Sequence, residues 1–262
     1  MNLRAWAAAS FVAILLPAVL IGDGPKPMTG LPGEPEPNNF LFRGGVAVND
    51  AGQIVAGAYL WASVNDPAPI QLGTLGSTNR VSEASGINNS GQVVGSASTS
   101  SGAEHAFLRS AQGVMTDLGT LGGASSHAVG ISDAGHVVGH SELANGAVHA
   151  FLWTASAGLT DLGTLGGASS HAVSVSGTGH VVGRADTAAG SEHAFLWTPS
   201  EGMVDLGTLG GPTSAASDIN GSGTVVGSAV AASGRAQAFV WTPTGGMVEM
   251  SPDDDGVASL AS

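Results

Sequence analysis

The chain has 262 residues, with 41 Gly, 20 Asp plus Glu and seven Lys plus Arg, so its formal net charge is −13. The seven cations are scattered, and no basic patch could follow a phosphate backbone, which excludes nucleic acid as a partner. Cysteine is absent, which excludes disulfide bonds and Cys-based zinc sites. Abundant glycine favours turns and bulges over helices.

Residues 1–22 are predicted to be a secretory signal. Arg4 precedes an apolar stretch of about 15 residues from Ala7 to Ile21, which is short for a membrane span of about 20 residues. The cleavage site before Gly22 is poorly marked, so an uncleaved N-terminal anchor is the alternative. We expect an extracellular, cell-surface or periplasmic protein that meets a membrane only through this segment if it stays uncleaved.

Residues 23–39 are rich in Pro, Gly and Glu and are predicted to be a linker. Residues 40–262 then form one repeat domain. The run Asp-Leu-Gly-Thr-Leu-Gly-Gly begins at Asp117, Asp161 and Asp205, at an interval of 44 residues. A period of this size is typical of supersecondary units that bury their apolar faces by stacking. Five units are predicted, near residues 40–76, 77–123, 124–167, 168–211 and 212–262.

Each unit contains four short predicted strands separated by turns. Turns such as Asn88-Asn-Ser-Gly favour tight antiparallel hairpins, in which Gly supplies a positive φ. Contiguous apolar runs such as Phe151-Leu152-Trp153 indicate sheets that are covered on both faces. We therefore predict an all-β protein of tandem 44-residue four-stranded repeats, resembling a β-propeller with about five blades. A β-solenoid is the alternative. Five His, beginning at His105, recur every 22 residues, and this period is also a plausible length for one solenoid coil.

The first unit is shorter than the others, because Ala58-Tyr-Leu-Trp61 follows its second strand with no hairpin loop. We expect this unit to be a three-stranded edge or to be completed from elsewhere in the chain. The segments Phe40–Phe42 and Val257–Leu260 are the candidates for closing a ring of sheets.

Several motifs together resemble the bacterial HAF repeat proteins. They are His149-Ala-Phe-Leu-Trp-Thr, its copy at His193, the Asp-Leu-Gly-Thr-Leu-Gly-Gly runs, and the Ile-Asn-x-x-Gly-x-Val-Val-Gly pattern at Ile87 and Ile219. The resemblance covers roughly residues 45–249. It implies an extracellular protein with no assigned reaction, and it supplies no catalytic residues to carry over.

Three recurrent residue types are candidates for chemistry, each with a structural interpretation beside it. The His series could hold metals, but equivalent positions in successive blades are rotated apart, so structural or surface His is favoured. The recurrent carboxylates could form a cation-binding ring, but an Asp beside a turn more often accepts backbone N–H bonds from it. The carboxylates are Asp117, Asp161, Asp205 and Glu249.

Aromatic residues are the candidates for binding. Trp153, Trp197 and Trp241 recur at one strand position and could stack on sugars, although an inter-blade core position is favoured. The acidic run from Asp253 to Asp255 lacks the ligand spacing of a calcium loop and is predicted to be a solvated tail.

No nucleophile elbow, phosphate-binding loop or zinc-protease motif is present. We therefore expect no catalytic residues, no metal and no cofactor. The favoured function is a binding or surface-associated module whose partner is a carbohydrate or another protein. The alternative is a hydrolase or lyase that acts on polysaccharide with acidic residues near the propeller axis.

Overall fold

The computed structural model describes residues 46–78 and 82–250. Contacts divide the chain into two units, Met1–Leu31 and Pro32–Ser262, and every described residue belongs to the second. The predicted signal at 1–22, the linker at 23–39 and the ring-closing candidates Phe40–Phe42 and Val257–Leu260 lie outside the described residues, so these assignments stay predictions. No helix in the described ranges is long and apolar enough to cross a membrane.

Within residues 46–78 and 82–250, twenty strands form five four-stranded sheets, and each sheet is a meander of four consecutive strands. Every strand pair within the sheets is antiparallel, which confirms the all-β propeller with five blades. The solenoid alternative is wrong, since its coils require parallel strands. The strands are β1 Val46–Val48, β2 Ile54–Ala56, β3 Tyr59–Trp61 and β4 Ile70–Gln71 in sheet one; β5 Glu83–Ile87, β6 Val93–Ser98, β7 Glu104–Arg109 and β8 Met115–Asp117 in sheet two; β9 Gly122–Ile131, β10 Val137–Leu143, β11 Val148–Thr154 and β12 Gly158–Asp161 in sheet three; β13 Gly166–Val175, β14 Val181–Thr187, β15 Glu192–Thr198 and β16 Gly202–Asp205 in sheet four; and β17 Gly210–Ile219, β18 Val225–Ala231, β19 Ala236–Thr242 and β20 Gly246–Glu249 in sheet five.

Sheet one is complete, so the expectation of a three-stranded edge, or of a strand supplied from elsewhere, is wrong. Its fourth strand is local: β4 pairs with β3 through Tyr59 and Gln71. The connection between them turns at Asp66, whose carboxylate accepts the N–H groups of Ala62 and Ala68 at 2.9 and 3.0 Å. These two backbone hydrogen bonds lower the pKa of Asp66.

The turns between the first and second strands adopt the conformation that the sequence predicts. The turn glycine has a φ of 81° at Gly135 and 82° at Gly179, a region that side chains with a Cβ rarely adopt. In sheet three the N–H of Gly135 donates to the carbonyl of Ser132 at 2.9 Å, which closes the turn. The equivalent glycines of the other sheets, Gly52, Gly91 and Gly223, also have positive φ.

The core lies between the sheets rather than within them. Val138 of sheet three, for example, packs in one cluster with Val181 and Phe195 of sheet four. Three further clusters join sheets one and two, two and three, and four and five. The phenylalanines of these clusters are fully buried, and burying each contributes roughly 1.5–3 kcal/mol. They are Phe107, Phe151, Phe195 and Phe239.

Candidate functional site

A cavity of about 370 Å³ lies where one turn from each of the five sheets meets. Because every sheet contributes its first turn, the cavity marks the axis around which the five sheets are arranged. It is lined by Val48, Asn49 and Asp50; Ile87, Asn88 and Asn89; Ile131, Ser132 and Asp133; Val175, Ser176 and Gly177; and Ile219 and Gly221.

The apolar part of the lining comes from the last residue of each first strand. Each first strand ends at its turn, so the last residue of the strand lies at the cavity. Val175 and Ile219 are 9% and 6% exposed, whereas Val48 of sheet one is 54% exposed. The apolar lining is completed by Ile87 and Ile131.

The second residue of each turn also lines the cavity, and its side chain differs between the sheets. Three sheets place Asp50, Asn89 and Asp133 there, while sheets four and five place Gly177 and Gly221. The Asn89 side-chain amide donates to Oδ2 of Asp50 at 2.8 Å and to Oδ2 of Asp133 at 3.0 Å. One side of the rim therefore carries two carboxylates and an amide, whereas the second turn residues on the other side are glycines without side chains.

Backbone donors hold two of these side chains in place, those of Asn89 and Asp133. The N–H of Asp50 donates to the Asn89 Oδ1 at 2.8 Å, and the N–H of Asn89 donates to an Asp133 carboxylate oxygen at 2.9 Å. All three residues are exposed, so these bonds orient the side chains at the surface. A rim oriented in this way loses little conformational entropy when it binds a ligand.

Beneath the rim, two buried asparagines tie neighbouring turns together. The Asn49 side-chain amide donates to the carbonyl of Asn88 at 3.0 Å, and the Asn88 amide donates to the carbonyl of Ser132 at 3.1 Å. Asn49 and Asn88 are only 8% and 3% exposed, so their hydrogen bonds must be satisfied internally. This ladder fixes the spacing of the first three turns.

The tryptophans proposed as binding platforms lie outside the cavity. Trp153, Trp197 and Trp241 sit on third strands and pair with the first residue of the neighbouring second strand. Each is partly buried and packs against an inter-sheet cluster of its own. They are thus spread over three sheets rather than gathered into one site, and their role in binding stays a prediction.

The His series with 22-residue spacing separates into two sets. One set lies on third strands, where Nδ1 of His149, for example, contacts both oxygens of Asp161 at 2.9 and 3.0 Å. The same aspartate accepts the N–H of Gly163 at 2.8 Å, which confirms its predicted role in the turn. The pairs His105–Asp117 and His193–Asp205 repeat this arrangement. The sequence interpretation missed the pairing, although a constant 12-residue spacing from His to Asp signals it.

The other set, His127 and His171, lies on first strands, and both rings pack against His140 of β10. The ring of His140 is 5.2 Å from that of His127 and 4.9 Å from that of His171, centroid to centroid. Burial, together with the neighbouring His171, His127 and Arg184, lowers the pKa of His140 to about 4. Burial also lowers the pKa of His171. Within the described ranges no three His, Asp or Glu are grouped so that they could hold a metal ion.

The comparisons with known proteins establish the fold. No family model matches the chain, and no curated protein matches it in sequence. TolB from Acinetobacter baumannii is similar in structure with a TM-score of 0.52 and 14% identity, over 82% of this chain and 55% of that chain. The present chain thus spans about half the length of that protein.

Two further structures are similar. A protein assigned as TolB from Agrobacterium tumefaciens has a TM-score of 0.56 and 13% identity, over 79% of each chain. A lectin from Aleuria aurantia, a six-bladed β-propeller that recognises fucose, has a TM-score of 0.39 and 13% identity, over 79% of this chain and 77% of that chain. At these identities the likeness concerns the propeller fold alone.

Proposed function

We propose that this β-propeller is an exported, non-catalytic binding module whose ligand site is the cavity at its axis. The observation that carries the proposal is the convergence of turns from all five sheets on one cavity with an oriented polar rim. A volume of about 370 Å³ lies within the range of small-molecule sites.

The chemistry of the lining favours a carbohydrate over a protein partner. Carboxylate and amide groups, as in Asp50, Asn89 and Asp133, accept and donate hydrogen bonds to hydroxyl groups. The apolar residues beside them suit the C–H face of a sugar ring. A protein partner needs a larger contact area than a cavity of this size offers.

A glycan array screened with the full chain tests the proposal, followed by calorimetric titration of the best sugar. Asn89→Ala removes the amide that joins the two carboxylates, and we expect it to weaken binding about tenfold, or about 1.4 kcal/mol. The control is Asn145→Ala, another exposed turn asparagine, whose Oδ1 accepts the N–H of Ala147 at 3.0 Å away from the cavity. Equal affinities for the two variants would contradict the proposed site.

A polysaccharide hydrolase is the second candidate, and Asp50 with Asp133 is the observation that favours it. Their Oδ2 atoms both lie within 3.0 Å of one amide nitrogen, so two carboxylates share the cavity rim. A glycosidase needs two such carboxylates. Release of reducing sugar by the wild type, abolished in Asp133→Asn, would favour catalysis over binding.

Export rests on residues 1–22 and on the resemblance to the HAF repeat proteins. Expression of the full chain in a bacterium should place it outside the cytoplasm, and N-terminal sequencing locates any cleavage. Replacing Leu15 and Leu16 with Arg interrupts the apolar stretch and should retain the protein in the cytoplasm. Cytoplasmic wild-type protein would refute export without bearing on the ligand site.

A further inference from the structure

Arg109 departs from the pattern of the repeats at a buried position. It lies on β7, where it pairs with Val93 of β6 and Met115 of β8. The equivalent positions on the third strands of the other four sheets hold tryptophan, at Trp61, Trp153, Trp197 and Trp241. Sheet two therefore carries a cation where each of the other sheets carries an aromatic ring.

The guanidinium of Arg109 has no counter-charge among residues 46–78 and 82–250. The residue is only 6% exposed, and its Nε is buried without a hydrogen-bond partner. No described carboxylate forms an ion pair with it. A guanidinium cannot lose its proton in a protein, and a buried charge without a partner is destabilising. An anion bound from solution would supply the missing partner.

The other buried polar groups of the described ranges do not have this need. Ser82 Oγ and His136 Nδ1 also lack a hydrogen-bond partner. Both belong to groups that can stay neutral, a hydroxyl and an imidazole. Arg184 is charged, but its side chain is 46% exposed and its Nη1 lies 3.4 Å from Oε1 of Glu192. Arg109 differs from all of these because it is charged, buried and unpaired.

The end of the Arg109 side chain lies beneath an exposed turn. The side chain is on the same face of β7 as Phe107, and that face packs against Val55 of sheet one. A Cβ added to Gly113 would lie 3.1 Å from Nη2 of Arg109 and 3.7 Å from the central guanidinium carbon. Residues 111–114 are exposed, so the guanidinium lies just below the surface. Gly113 leaves the approach to it free of a side chain.

This turn is on the same end of the propeller as the axial cavity. A Cβ added to Gly91, in the first turn of sheet two, would lie 3.6 Å from the Cβ of Ala111 and 3.2 Å from Oε1 of Gln53. The preceding residues of that first turn, Asn88 and Asn89, line the cavity. First strands of successive sheets contact one another near the axis, and β7 is two strands farther out than β5. Arg109 therefore lies beside the cavity and farther from the axis.

The charge balance favours a carboxylate over a multiply charged anion. The described residues contain three arginines and no lysine, and the other two, Arg184 and Arg235, belong to sheets four and five. One guanidinium neutralises one carboxylate through two parallel N–H···O bonds. A phosphate dianion would keep an excess negative charge in a chain whose net charge is already −13.

We propose that Arg109 is an anion site that binds the carboxylate of a small ligand at the surface between sheets one and two. The carboxylate oxygens accept hydrogen bonds from the guanidinium beside Gly113. A uronic acid is the source of carboxylate that matches the saccharide proposed for the axial cavity. That choice of ligand rests on the proposed function, whereas the anion site does not.

Calorimetric titration at low ionic strength tests the site with four probes: glucuronate, lactate, glucose and inorganic phosphate. Arg109→Trp installs the residue that the other four sheets accommodate, so the variant should fold. Arg109→Lys keeps the positive charge but loses the planar pair of donors. Arg184→Gln is the control, because it removes a positive charge from sheet four.

We expect glucuronate and lactate to bind the wild type, and Arg109→Trp to weaken both at least about tenfold. Arg109→Lys should lie between these two affinities, and Arg184→Gln should bind like the wild type. Glucose should bind without any dependence on Arg109. Glucuronate should raise the melting temperature of the wild type but not that of Arg109→Trp, since only a bound ligand stabilises the folded state.

Equal carboxylate affinities of the wild type and Arg109→Trp would overturn the proposal. Tighter binding of phosphate than of lactate, or no binding of either carboxylate, would overturn it as well. Loss of glucuronate affinity in Asn89→Ala but not in Arg109→Trp supports the axial site and refutes the anion site. The reverse result refutes the axial site and supports the anion site.

Discussion

Gly183 should be among the least replaceable residues of the chain. It lies in the middle of β14, opposite Ala172 of β13, next to a register shift between Ala172 and Ser174. A Cβ at this position would overlap the carbonyl oxygen of His171 and would lie 2.9 Å from the Cα of Ala172. Both are backbone atoms, so no side-chain rotation can relieve the overlap.

Gly183→Ala must therefore separate β13 from β14. Overpacking costs about 1–3 kcal/mol, and we expect about 3 kcal/mol because the obstruction is backbone. For a domain of this size, each kcal/mol lowers the melting temperature by about 2–4 °C, so the expected shift is about 6–12 °C. Chemical denaturation monitored by circular dichroism measures the free energy of unfolding directly.

The matched control is Gly177→Ala in the same sheet. A Cβ added to Gly177 would have no neighbouring atom within 4 Å, and this glycine has no positive φ. Its substitution should therefore change stability by no more than about 0.5 kcal/mol. Equal unfolding free energies for the two variants would refute the reasoning, since the change in composition is identical.

Three further outcomes are expected. Gly135→Val should destabilise by at least about 1 kcal/mol in thermal melts, because φ is 81°; an unchanged melt would contradict the turn. A double-mutant cycle with His149→Gln and Asp161→Asn should give a coupling of at most about 1 kcal/mol, because Asp161 is 38% exposed; a larger coupling would show that solvent does not screen the pair. Because the pKa of His140 falls from 6.5 to about 4 on folding, its contribution to stability is present above pH 6.5 and is lost as pH falls toward 4. His140→Gln should flatten that dependence in denaturation series between these pH values, and an unchanged dependence would contradict the role of His140.

The hairpins could be predicted from the sequence because a hairpin is a local structure. A turn such as the one at Gly135 requires a positive φ and a closing hydrogen bond within four residues, and both depend on side chains that are adjacent in the chain. The regular 44-residue recurrence of such turns then implied stacked sheets, and the burial of Phe195 followed from its place in an apolar strand. The fourth strand of sheet one, Ile70–Gln71, was not predicted because it is only two residues long.

The polar rim of the cavity, in contrast, could not be predicted from the sequence. Its formation depends on the angle between successive sheets, and no local sequence pattern encodes that angle. Asp50, Asn89 and Asp133 are 39 and 44 residues apart, and they meet only because successive sheets rotate about one axis. The need for glycine at position 183 likewise arises from the close approach of β13 at a register shift, which is a through-space relation. The sequence therefore determined the repeating units and their turns, and the tertiary structure alone decided which turn residues converge, because convergence depends on packing between sheets.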